Sequence, residues 1–109
     1  MSTEATINTS KDTLRLYDQT FNSRLLIGTA LYPSPDIMAK AIAASGSEML
    51  TLSLRRQDPI NNQGQSIWQH IQQSDCALLP NTAGCHSAQE AITVAQMSQE
   101  MFNTDFIKL

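Results

Sequence analysis

Short apolar runs alternate with helical stripes along most of this chain, and that rhythm is its main structural signal. Residues 1–13, MSTEATINTSKDT, are small and polar without apolar periodicity and read as a flexible arm, with residues 14–109 as the folded unit. Leu14-Arg15-Leu16-Tyr17 alternates and, with Asp18-Gln19-Thr20-Phe21, predicts a short hairpin or lid strand. Leu25-Leu26-Ile27 is a continuous apolar run closed by Gly28-Thr29 and predicts the first strand of the main rhythm. Ser34 is a good N-cap, Pro35 suits the first helical position and Asp36 places an acid in the first turn. Met38, Ala41 and Ile42 recur at helical spacing and Gly46 fits the left-handed position after the last turn, so a helix is expected over Pro35 to Ser45.

Met49 to Leu54 predicts the next strand, followed by Arg55-Arg56 and a polar loop from Gln57 to Gly64. A short helix is expected from Ser66 to Gln73, with Ile67, Trp68 and Ile71 on one face. Cys76-Ala77-Leu78-Leu79 predicts a third strand that Pro80 should stop, with Asn81 to Cys85 as its exit loop. Ser87-Ala88-Gln89-Glu90 has capping-box spacing and opens a helix with Ala88, Ala91, Ile92, Ala95 and Phe102 on one side. Phe106-Ile107-Lys108-Leu109 begins a fourth strand.

Strands thus start at intervals of roughly 25 to 30 residues with a helix between each, the size of a βα unit, and such units imply a parallel sheet. Periodicity leaves two architectures open: a doubly wound sheet, or part of a (β/α)₈ barrel, which needs about 250 residues. Leu109 falls within an apolar strand, with no turn signal or covering helix after it, whereas a parallel strand normally has both faces buried. A truncated reading frame is the expectation.

Composition narrows the function classes. Hydrophobic residues make up 41% and charged residues 16%, which is globular rather than disordered. A net charge of -3 and a pI near 5.1 provide no basic stripe for nucleic acid. No stretch approaches the ~20 apolar residues of a membrane span, and the polar N-terminus lacks a secretory layout, so a cytoplasmic protein without membrane contact is expected. Cys76 and Cys85 do not have a zinc spacing, and no metal site is expected.

Several stretches, in order, resemble thiazole synthase of the thiamine pathway. They are Phe21 to Thr29, Tyr32-Pro33-Ser34-Pro35, Ala43 to Glu48 followed by Leu50 to Arg56, and the more specific Leu78-Leu79-Pro80-Asn81-Thr82-Ala83-Gly84-Cys85 with Ala88-Gln89-Glu90-Ala91. Phe106-Ile107-Lys108-Leu109 resembles that family's lysine strand, so the likeness covers residues 20–109. The resemblance implies an α/β fold in which parallel βα units form the first half of a (β/α)₈ TIM barrel. It implies an enzyme that condenses 1-deoxy-D-xylulose 5-phosphate, dehydroglycine and sulfur from a sulfur-carrier protein with a C-terminal thiocarboxylate into the thiazole phosphate precursor of thiamine. Identical subunits are a further implied partner, and no cofactor is implied.

Within that resemblance Lys108 is the nucleophile, forming a Schiff base with the ketose phosphate. The amine must be partly unprotonated near neutral pH, which for a group ordinarily titrating near ~10.4 calls for desolvation or a neighbouring cation. Asn81 and Thr82 follow the third strand, where barrel loops form the mouth of a site, and are candidates for substrate contact; the competing reading makes Asn81 the organiser of a turn. Arg55 and Arg56 are candidates to face an anion, against an ordinary solvated pair. Cys85 reads as a packing residue, His70 and His86 as surface or turn residues, and Met38, Met97 and Met101 as packing.

The sequence also departs from the family. Members usually carry Gly-Lys where Ala30-Leu31 stands here, and the family's catalytic carboxylates and phosphate-binding loops lie beyond Leu109. The chain alone is therefore expected to be inactive. The competing functional classes are a non-catalytic half-barrel that acts as an association or binding module and, less favoured, an unrelated flavodoxin-like binding domain.

Overall fold

A computed structural model describes residues 12–54 and 62–109. A hairpin comes first: β1 (Leu14–Leu16) and β2 (Gln19–Phe21) pair antiparallel, Leu14 opposite Phe21, as the alternation predicted. The parallel sheet follows in the order β3 (Leu26–Gly28), β4 (Met49–Ser53), β5 (Ala77–Asn81). Its register aligns Gly28 with Thr51 and Leu79, and Ser53 with Asn81. Three helices connect and follow these strands: α1 (Pro35–Ser45), α2 (Asn62–Ser74) and α3 (Ala88–Phe102).

Helix α1 has the predicted bounds, and its ends show why. The Ser34 Oγ accepts from the Ile37 N–H at 3.2 Å, and Gly46 takes φ +70°, which a Cβ would disfavour. Helix α2 begins at Asn62, four residues before the expected start, so the end of the presumed polar loop is helical. The apolar stripe from Ile67 to Ile71 marks only the part of α2 that packs, and a polar first turn leaves no mark in hydrophobic periodicity. Arg55, Arg56 and the rest of that loop through Asn61 lie outside the described residues.

Pro80 does not stop its strand. Strand β5 continues to Asn81, and Pro80 is fully buried opposite Leu52. The Pro80 carbonyl accepts from the Lys108 N–H at 2.8 Å, on the side away from β4. In a strand a residue's N–H and C=O point the same way, so the donor proline lacks faces away from β4, and its absence costs no bond to that strand.

In α3 the Ser87 Oγ accepts from the Glu90 N–H at 3.1 Å, the expected cap. The inward face matches the expected one in part, with Phe102 buried and Ala91 and Ala95 half-buried. Ser98 and Phe102 are buried and Val94 half-buried, whereas Ala88 and Ile92 point outward, Ile92 with 57% exposure. Ile92 lies off the packed side of α3 despite its hydrophobicity, and Ser98 takes a buried place on it. After Asn103, at φ +50°, the chain returns to lie beside β5 through a single parallel bridge, Asn81 to Lys108.

Each face of the sheet carries its own apolar cluster. On the helix side, Leu50 and Leu52 pack with Met38, Ile42, Ile71 and Phe102, and the Trp68 and Phe102 rings lie 5.3 Å apart. On the other side, Met49 packs with Phe21 and Phe106, joined by Leu14, Leu16, Ala77 and Leu79. The hairpin thus covers the amino-terminal part of the face that the helices leave open, and the carboxyl-terminal part of that face carries polar side chains.

Candidate active site

Alternation along each strand decides which side chains meet above that open face. Met49 and Ala77 lie in the hairpin-side cluster, so Thr51 and Ser53 on β4, and Leu79 and Asn81 on β5, share their face. Phe106 belongs to the same cluster, so Lys108, two residues on, also points to that side. The register then aligns Ser53, Asn81 and Lys108 in one row across β4, β5 and the segment beside it, where the expected fourth strand forms only this one bridge. The row sits at the carboxyl ends of parallel strands, the end at which α/β folds of both expected kinds assemble their sites.

Several bonds hold the lysine segment in place. The Lys108 N–H donates to the Pro80 carbonyl at 2.8 Å and its carbonyl accepts from the Thr82 N–H at 3.1 Å. The Thr104 hydroxyl donates to the Leu78 carbonyl at 2.9 Å and accepts from the Phe106 N–H at 3.2 Å, steering the chain out of α3 towards β5. Phe106 is anchored below by Tyr17 and Phe21, with ring centroids at 5.4 and 6.4 Å. Lys108 itself is exposed.

Asn81 organises the turn above β5, as its competing reading proposed: its Oδ1 accepts from the Ala83 N–H at 3.0 Å. The Cys85 N–H donates to the Thr82 carbonyl at 3.1 Å, and Gly84 at φ +85° allows this bend. The half-buried Thr82 thus binds the lysine strand through its backbone N–H. Leu31, where the family usually has a basic residue, is 91% exposed at φ +68° in the loop after β3.

Ser53 and Thr104 escaped the sequence reading. Ser53, with 9% exposure, was read only as part of an apolar strand, and its value lies in a register that one sequence does not display. The Asn103-Thr104 pair after an apolar stripe was a usable turn signal.

His70 is not the isolated surface residue expected. It is 25% exposed, and its Nε2 lies 3.4 Å from the Asp36 Oδ1, linking α2 to the first turn of α1. This pair joins positions 34 residues apart, which no local spacing reveals. Together with Cys76 and Ser47, His70 lines a cleft of about 340 Å³ between α1 and α2, at the opposite end of the strands from Lys108. Cys76 and Cys85 are unpaired thiols, and the Cys76 Sγ lies 3.4 Å from the Ser47 carbonyl. Among the described residues no group of three or more His, Cys, Asp or Glu is placed to hold a metal, and no helix is long and apolar enough to cross a membrane.

Parallel strands linked by helices, with polar side chains gathered at the strands' carboxyl ends, define an α/β protein built of consecutive βα units. The sequence model described as "Thiazole biosynthesis protein ThiG" matches residues 15–109. The chain belongs to that family. It is 53% identical over 96 residues to a protein named thiazole synthase from Nitrobacter hamburgensis, covering 88% of this chain and 37% of that protein. A thiazole synthase from a Bradyrhizobium species is 55% identical over 93 residues, 85% of this chain and 36% of the relative. One from Ralstonia pickettii is 50% identical over 108 residues, 98% of this chain and 39% of the relative. The chain therefore spans little more than a third of the length of these relatives.

Proposed function

We propose that this chain contributes the imine-forming lysine of a thiazole synthase, and that its βα units are the first part of a (β/α)₈ barrel. One observation carries this reading: the pairing of Lys108 with Asn81 puts the lysine on the face away from the helices, at the carboxyl end of a parallel sheet. A closed barrel would turn that face inward. The names of the relatives support the activity.

The neutral Lys108 amine attacks the C2 carbonyl of 1-deoxy-D-xylulose 5-phosphate, forming a C–N bond as the C=O π bond opens to a carbinolamine. Loss of that oxygen as water gives the imine, which acidifies the adjacent C–H and lets the carbonyl migrate along the sugar. Dehydroglycine and sulfur from the carrier protein's C-terminal thiocarboxylate complete the ring. The Phe106 cluster below and the two backbone bonds of Lys108 restrict where the amine is presented, the positioning that lowers the entropy cost of attack.

The test is borohydride trapping with the ketose phosphate on a full-length chimera, in which residues 15–109 replace the matching segment of the Nitrobacter hamburgensis relative. The expected adduct maps to Lys108 and is lost in Lys108→Arg; equal labelling of that variant would refute the assignment. The 109-residue chain alone is expected to form no thiazole, and measurable product in a clean assay would overturn that.

A second reading, an association module, rests on a separate observation. Among the described residues β3 pairs only with β4, and its Leu26 is 38% exposed beside Leu25 at 50%.

A further inference from the structure

The row that holds Lys108 contains two other polar side chains whose chemistry the imine step leaves unused. Asn81 is its immediate neighbour on β5, and Ser53 is the next position across on β4. The Asn81 side chain has a fixed orientation. Because the Ala83 N–H needs an acceptor, the amide oxygen is the atom that meets it at 3.0 Å, and the NH₂ group is left as a donor. Ser53 is 9% exposed, and its hydroxyl makes no side-chain hydrogen bond among the described residues. A hydroxyl donates and accepts, so it suits an alcohol.

Neighbouring strands lie about 4.8 Å apart, so the row from Lys108 to Ser53 extends over about 10 Å. That is the scale of an open-chain sugar phosphate lying across the strands. The half-buried Leu79 and Thr51, one layer down the same strands, form the floor beneath the row.

We infer that Asn81 and Ser53 form a row of hydrogen-bonding groups that reads the hydroxyls of an acyclic ketose phosphate whose carbonyl lies at Lys108. Asn81 meets the oxygen on the carbon next to the imine, and Ser53 meets the following one. The inference rests on the Lys108 reading and adds the basis of substrate choice: a polyol is preferred over a short phosphorylated ketone because only the polyol fills the row. The short ketone leaves these groups to water and forgoes the hydrogen bonds that the sugar gains there, which sets the preference.

The experiment uses the full-length chimera and measures borohydride-trapping rates below saturation with two probes, 1-deoxyxylulose 5-phosphate and hydroxyacetone phosphate. Asn81→Asp keeps the acceptor for the Ala83 N–H and so preserves the turn, but removes the NH₂ donor. We expect trapping of the five-carbon sugar to fall about tenfold relative to that of the short ketone, and Ser53→Ala to lower this preference several-fold. A carboxylate at position 81 would also favour the charged amine, which slows both probes alike, so the contribution of the lost donor is read from the ratio of the two trapping rates.

Preference for the sugar should collapse in the double variant. If both probes slow equally, Asn81 serves only the turn or the amine and the inference is overturned. If the unsubstituted chimera is not trapped at Lys108, the Lys108 reading falls and this one with it. Trapping at Lys108 with unaltered preference in both variants overturns this inference alone.

Discussion

Ser47 illustrates how one small side chain secures the entry to the sheet. It follows the left-handed Gly46, is 7% exposed, and its N–H donates to the Ser45 Oγ at 3.1 Å. Its hydroxyl lies 2.6 Å from the Leu25 carbonyl and 2.8 Å from that of Met49, and accepts from the Met49 N–H at 3.3 Å. Leu25 precedes β3 and Met49 opens β4, so this hydroxyl ties the starts of two strands through backbone groups with little access to water. Serine supplies both donor and acceptor at that point; alanine fills nearly the same space and supplies neither. Ser47→Ala should therefore cost about 1–3 kcal/mol, the penalty for stranding buried backbone groups. Urea denaturation of the chain checks this, and a midpoint unchanged within error would show that water replaces the hydroxyl.

Among the elements, the hairpin has the least regular structure of its own and depends most on side chains. Each of its strands is three residues long, too short for a free hairpin to persist. What holds it is Phe106, which stacks on Tyr17 and packs with Phe21 from the far end of the chain. The alternation from Leu14 to Phe21 made the hairpin legible in sequence, and caps at Ser34, Gly46 and Ser87 made two helices legible. The polar start of α2, the outward position of Ile92 in α3 and the passage of Pro80 through β5 were not legible, because each is decided by a distant neighbour. The site divides in the same way. Lys108 entered as a candidate through the family resemblance and Asn81 and Thr82 through their place after a strand, whereas Ser53 enters only through the register, and Thr104 through a carbonyl 26 residues away. Since Phe106 serves the hairpin and the lysine segment together, Phe106→Ala should cost about 3–5 kcal/mol and loosen both. Amide exchange would show it: Leu16, Phe21 and Lys108 should lose protection together, and loss at only one of them would mean that the hairpin and lysine segment are held independently.

At the scale of the whole molecule, the sheet is well buried in the middle and open on one side. Leu50 and Leu52 in β4 are 0% and 2% exposed, with a partner strand on each side. Strand β3 offers its outer edge without a partner among the described residues, and Leu25 and Leu26 stand exposed along it. Unpaired backbone donors and acceptors beside apolar side chains form a template for another strand, and this edge carries no inward-pointing charge or proline of the kind that protects natural edges. In a closed barrel the last strand would occupy it. In the chain by itself the same edge should pair with a second copy, so sedimentation should show association rising with concentration. Leu26→Lys, on β3 itself, places a charge on that edge and should shift the equilibrium towards monomer. Leu109→Lys, at a residue that is 94% exposed, adds the same charge without touching β3 and serves as the control. If both substitutions act equally, net charge rather than the β3 edge governs association, and the edge has no role as an interface. If only Leu26→Lys acts, the surface that a complete barrel would close is the surface through which the isolated chain self-associates.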